Sequence, residues 1–164
     1  MTCAFDETVV YDSLSEMLKG YGPVDSNITD ENFPLEAFER SGQQGWPFLH
    51  IVPFVGWGMR TKDVKEIMWK NESCHCRRAT LREGLAVVTA DACLGKETSK
   101  IALLFSEWQN PENLETYVAY IQRRKKSHAV RLRRIDKPFL GRWIFLGVSL
   151  GELPPELFNP FPSP

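Results

Sequence analysis

The chain has 164 residues, 43% of them hydrophobic and 25% charged, a size that suits one domain with one core rather than two. A formal net charge of -1 points to no particular class of partner. The longest uncharged apolar stretch, residues 144–150, falls far short of the roughly 20 residues that span a bilayer, which excludes a membrane-spanning helix. No basic region followed by an apolar core opens the chain, and four cysteines, one of them Cys3, do not form a disulfide framework, so a cytoplasmic protein with reduced thiols is expected.

A first helix is predicted over residues 6–19, where Val10, Leu14, Met17 and Leu18 share one face and Asp6 and Glu7 suit the first turn. Gly20, Gly22 and Pro23 stop it. A polar stretch follows, then a short helical turn from Pro34 through Leu35, Ala37 and Phe38 to Gly42, and a connector to Pro47. Residues 48–55 are apolar and β-branched enough for a strand, but Pro53 lacks an N–H and confines it to an edge or an extended loop. After Gly56 and Gly58, Thr61 is read as the cap of a helix reaching Asn71, with Val64, Ile67 and Met68 inward. Thr80 and Glu83 have capping-box spacing, in which each side chain satisfies the other residue's free backbone N–H. Leu81, Leu85, Val88 and Ala92 then form one stripe that ends at Gly95.

Residues 101–108 read as a strand, and Asn110-Pro111-Glu112-Asn113 as a type I turn with proline in its second position. Residues 115–123, 129–135 and 142–150 read as three more strands, with Val130 and Leu132 alternating against Arg131 and Arg133. Asn110 as an N-cap with Pro111 at the first helical position competes with this, placing Leu114, Val118 and Ile121 on a helical stripe. The fold expected is α+β: N-terminal and middle helices packed on one face of a roughly four-stranded antiparallel β-meander. Residues 1–164 form one domain: an acidic helical part (1–45), an edge strand and two helices (46–98), the meander (99–150) and a proline-rich tail (151–164).

The segments Arg77-Arg-Ala-Thr-Leu-Arg-Glu-Gly-Leu-Ala86, Ile101-Ala-Leu-Leu-Phe-Ser-Glu-Trp-Gln-Asn-Pro111, Tyr117-Val-Ala-Tyr120 and Arg142-Trp-Ile-Phe-Leu-Gly-Val148 resemble a pattern in a group of uncharacterised bacterial proteins. Members carry an Arg-Pro-Ala-Thr helix start, an Ala-Leu-Gly-Ser-x-Trp strand, an Asp-Pro-x-Gly turn and a closing Phe-Leu-Ala-Val strand. This chain departs from the pattern at Arg78, at Phe105 and in its more basic third segment. The resemblance implies a helix followed by a β-meander and favours strand over helix for residues 115–123; it implies no activity.

Charge is unevenly distributed. Residues 1–40 hold nine acidic side chains against Lys19 and Arg40, whereas Arg123, Arg124, Lys125, Lys126, Arg131, Arg133 and Arg134 fall within twelve residues that lack a carboxylate. On a hairpin Arg131 and Arg133 share a face, and such a patch attracts phosphates, with Tyr117, Tyr120 and Trp143 on neighbouring strands as stacking faces. These seven basic residues and Tyr120 are the expected contacts to a protein or nucleic-acid partner. The competing reading has positive strand faces deterring edge pairing while the acidic N-terminal helix docks on them.

Cys74-His75-Cys76 lacks zinc-knuckle spacing and would need Cys93, His50 or His128 to complete a site, so no metal or cofactor is expected. No nucleophile, phosphate-loop or dinucleotide motif is present. The leading expectation is therefore a non-enzymatic binding or interaction module. The alternative is a small hydrolytic or nuclease-like enzyme using carboxylates with His50 or His128. Trp46, Phe48, Trp57 and the tail residues Phe158 and Phe161 exceed the apolar area a small core uses, which admits a homo-oligomer.

Overall fold

The computed structural model describes residues 3–4, 13–36, 50–70, 76–89, 100–123 and 127–149. Among the described residues three helices, α1 (Leu14–Met17), α2 (Thr61–Lys70) and α3 (Leu81–Thr89), accompany seven strands. The strands are β1 (Cys3–Ala4), β2 (His50–Met59), β3 (Cys76–Arg78), β4 (Lys100–Gln109), β5 (Thr116–Arg123), β6 (His128–Arg134) and β7 (Phe139–Ser149). They form one mixed sheet of order β1-β2-β7-β4-β5-β6, with β3 paired to the end of β7. The fold is α+β.

The antiparallel run β4-β5-β6 forms as expected, and residues 116–123 are strand rather than helix. The fourth strand departs from the meander. β7 lies on the far side of β4, parallel to it at Ile101↔Ile144, and antiparallel to β2 along its other edge. Its run from Trp143 to Val148 is apolar on both faces, a pattern that demands a central position; beside β6 it would have been a half-exposed edge. At Pro53 β2 has β7 on one side and no described strand on the other, so the proline sits where a missing N–H costs no ladder bond.

The helices cover both faces of the sheet, not one. Ile101, Leu103, Ala119, Ile121, Val130, Ile144, Leu146 and Val148 meet α3 and α1 on the first face. Ala102, Leu104, Val118, Phe139, Trp143 and Phe145 meet Val64 of α2 on the second. The continuous apolar stretch 101–104 in β4 requires this two-sided cover, since successive side chains of a strand point to opposite faces.

The junction of β3 and α3 locks this arrangement. The capping box forms: the Thr80 N–H donates to Glu83 Oε2 at 2.9 Å, and the Glu83 N–H to Thr80 Oγ1 at 3.2 Å. β4 bulges between Leu103 and Glu107, and the bulge receives the junction. Arg78 donates to the Leu104 carbonyl at 2.8 Å, the Phe105 N–H to the Ala79 carbonyl, and the Leu81 N–H to Ser106 Oγ at 2.8 Å. Residues 77–86 and 101–111 are thus in direct contact.

The N-terminal expectation needs revision. Ser13 has ψ 148° and accepts from the Glu16 N–H as the N-cap of α1, so no continuous helix runs over residues 6–19. Thr61 does not cap α2 either: its hydroxyl donates to the Ile135 carbonyl at 2.8 Å, while Asp63 accepts from the Arg60 N–H. The predicted helical turn at 34–42 is not helical over residues 34–36; its remainder, Ala92, Cys74, His75, the aromatics Trp46, Phe48, Phe158 and Phe161, and the proline-rich tail lie outside the described residues.

Tyr21 ties this N-terminal region to α3, its hydroxyl donating to the Leu85 carbonyl at 3.0 Å beside Thr89 Oγ1. Burial raises the phenol above its ordinary value, against a smaller lowering by Thr89. The neutral phenol is therefore the form favoured by folding. That stability is fully present below the ordinary tyrosine value of about 10 and is lost as pH rises through the higher folded value. Tyr21→Phe is expected to cost about 1 kcal/mol at neutral pH. Denaturant midpoints from pH 8 to 11 should then converge, with wild type losing more stability than the variant; parallel curves would contradict this role.

Candidate binding surface

β5 and β6 sort the expected contact residues onto different faces. The cross-strand pairs Tyr120↔Arg131 and Val118↔Arg133 put Tyr120, Arg131 and Arg133 on the α2 side, whereas Tyr117↔Arg134 and Arg123↔His128 put Arg134 and Arg123 on the other. Arg124, Lys125 and Lys126 lie outside the described residues. The basic segment is therefore not one contact surface.

Arg134 is neutralised within the chain. It forms ion pairs with Glu115 and, at 2.8 Å, with Asp136, and its Nε also donates to Asp136 at 3.0 Å. The hydrogen bond to Asp136 holds the guanidinium above its usual value, and the same bond holds the Asp136 carboxyl below the usual carboxylate range. Tyr117 belongs to this internal network through Glu115, at 2.8 Å, and lies on the face opposite Arg131 and Arg133.

The second face is different. Trp143 is only 2% exposed, so it serves as a buried hub and not as the stacking surface anticipated for it. Around it stand Tyr120, edge-on at 5.2 Å, and Phe139 at 4.9 Å. Two cations approach the same ring: Lys100 Nζ at 5.2 Å and the Arg133 guanidinium at 5.4 Å from its centre. Arg133 also lies over Phe139 and donates to the Pro138 carbonyl. Arg131, the neighbour of Tyr120 across the strands, is exposed.

Charge pairing distinguishes these cations from several others. Lys65 and Arg78 share Glu107, Arg82 holds Asp30, and Arg134 holds Glu115 and Asp136. Among the described residues, Lys100, Arg131 and Arg133 have no carboxylate within ion-pair distance. Lys100 escaped the sequence reading, although strand alternation sets it on the face of Ala102 and Leu104, opposite Ile101 and Leu103.

The edge of β6 is covered by the chain itself, through its backbone. The Gly22 N–H donates to the His128 carbonyl, the Val130 N–H to the Pro23 carbonyl and the Asp25 N–H to the Val130 carbonyl, which makes a parallel bridge of Val24 with Val130. The acidic N-terminal part thus reaches the basic hairpin, but it pairs the strand edge and leaves Arg131 exposed. The His128 ring rests against Tyr21 at 5.9 Å. No group of three or more His, Cys, Asp or Glu side chains that could hold a metal occurs among the described residues, and none of their helices is long and apolar enough to cross a membrane.

Comparison with known protein families, with curated proteins and with solved structures found no match to this chain.

Proposed function

We propose that the protein is a non-catalytic binding module that receives an acidic partner on the sheet face formed by Lys100, Tyr120, Arg131 and Arg133. The supporting observation is the unequal pairing of charge: Arg78 and Arg134 of the sheet hold carboxylates of the same chain, while these three cations hold none among the described residues. A cation set against buried rings, with part of its hydration removed, gains most from an external anion.

Retention on an immobilised polyanion tests this reading. Wild type is expected to be retained at low salt despite its net charge of -1, and Lys100→Glu with Arg131→Glu to flow through. Lys19→Glu with Arg142→Glu makes the same change in net charge at exposed positions, one in the turn after α1 and one on the opposite face of the sheet, and should retain binding. Equal loss in both double variants would reduce the effect to overall charge and remove the proposal.

A further inference from the structure

We infer, building on that reading, that the anion received by this face is the phosphate backbone of a nucleic-acid strand running along β6, with a base against Tyr120. Arg133 supplies the first reason. Its guanidinium lies over Phe139 and Trp143, 5.4 Å from each centre, with one N–H on the Pro138 carbonyl and a buried Nε that has no acceptor among the described residues. With Nε buried, it is the terminal nitrogens that can meet an external anion, and a guanidinium with no carboxylate beside it offers them to phosphate oxygens.

Spacing and composition supply the second. Arg131 and Arg133 alternate along one strand and therefore stand about 6.7 Å apart, comparable to the step between phosphates of an extended strand. Tyr120 is half-buried, faces Arg131 across the ladder and leans edge-on against Trp143. A nucleic-acid strand offers both phosphates for the cations and an aromatic base for Tyr120, whereas an acidic peptide offers only carboxylates. Because Trp143 is buried and Tyr117 lies on the opposite face, Tyr120 is the stacking position on this face. Binding is accordingly dominated by phosphate contacts and weak in sequence preference.

Fluorescence anisotropy with a labelled 12-nucleotide oligothymidylate and a labelled 12-residue oligoglutamate separates the two claims. The oligothymidylate is expected to bind with log affinity falling by about 2 per decade of salt, as three neutralised phosphates on a single strand require. Arg131→Gln, at an exposed position that no core contact depends on, should weaken it about tenfold, equivalent to one charge-assisted hydrogen bond. Tyr120→Leu should weaken the oligonucleotide and leave the oligoglutamate unchanged. If oligoglutamate binds as tightly and Tyr120→Leu affects neither ligand, the nucleic-acid inference fails while the acidic-partner proposal stands. If neither ligand binds, both fail.

Discussion

Asp30→Ala is expected to destabilise the protein by about 3 kcal/mol, because one carboxylate performs two tasks. It accepts the Leu14 N–H at the start of α1, at 2.9 and 3.2 Å, and it neutralises Arg82 at 2.6 Å. The Arg82 side chain is 3% exposed and also donates to the Phe33 carbonyl. Removing Asp30 takes an ion pair from a buried cation, which in a fully buried pair costs about 3–5 kcal/mol; Asp30 is 47% exposed, so water entry reduces this to about 2. Loss of the helix-start bond adds about 1 kcal/mol. Urea titration measures the total. Asp30→Asn retains an acceptor for Leu14 and should lose less, and Asp30→Asn combined with Arg82→Leu should recover part of the deficit by removing the buried charge. A change under about 0.5 kcal/mol in Asp30→Ala would show that this link does not hold the N-terminal region on α3.

Gly84→Ala is expected to destabilise despite better helix propensity. A Cβ at Gly84 would lie 2.3 and 2.7 Å from the two Cδ atoms of Leu103 and 3.0 Å from its Cγ. Leu103 is fully buried between α3 and the sheet, so it has little room to yield. Propensity gains about 1 kcal/mol, overpacking costs about 1–3, and a net loss of about 1 follows for the variant. Leu103→Ala alone should cost about 2–5 kcal/mol by leaving a cavity. The double variant places the new methyl in that cavity and should lose at least about 1 kcal/mol less than the two single changes together. Strict additivity would mean that α3 does not sit this close to β4.

Features specified within a few residues were legible in the sequence. The capping box of Thr80 and Glu83, the inward stripe of Leu81, Leu85 and Val88, the strands of the β4-β5-β6 run and the edge character imposed by Pro53 all follow from local stereochemistry. Placement of β7 beside β4 and pairing of β3 with β7 are non-local, and only the two-sided apolar run of β7 hinted at its central position. At the candidate surface, alternation correctly joined Arg131 with Arg133. Arg134 was expected on the same contact surface and is on the other face, because the basic segment was read as a block whose carboxylates, Glu115 and Asp136, lie just beyond it in the chain. Burial of Trp143 and the approach of Lys100 depend on strands distant in sequence.

The division between satisfied and unsatisfied cations can be read directly from the arginine side-chain Nε–Hε resonances during titration with oligothymidylate. Signals of Arg131 and Arg133 are predicted to shift with saturation, while those of Arg82 and Arg134, held by Asp30, Glu115 and Asp136, stay fixed. Movement of Arg134 with Arg131 and Arg133 unchanged would place the contact on the opposite face of the sheet and contradict the account.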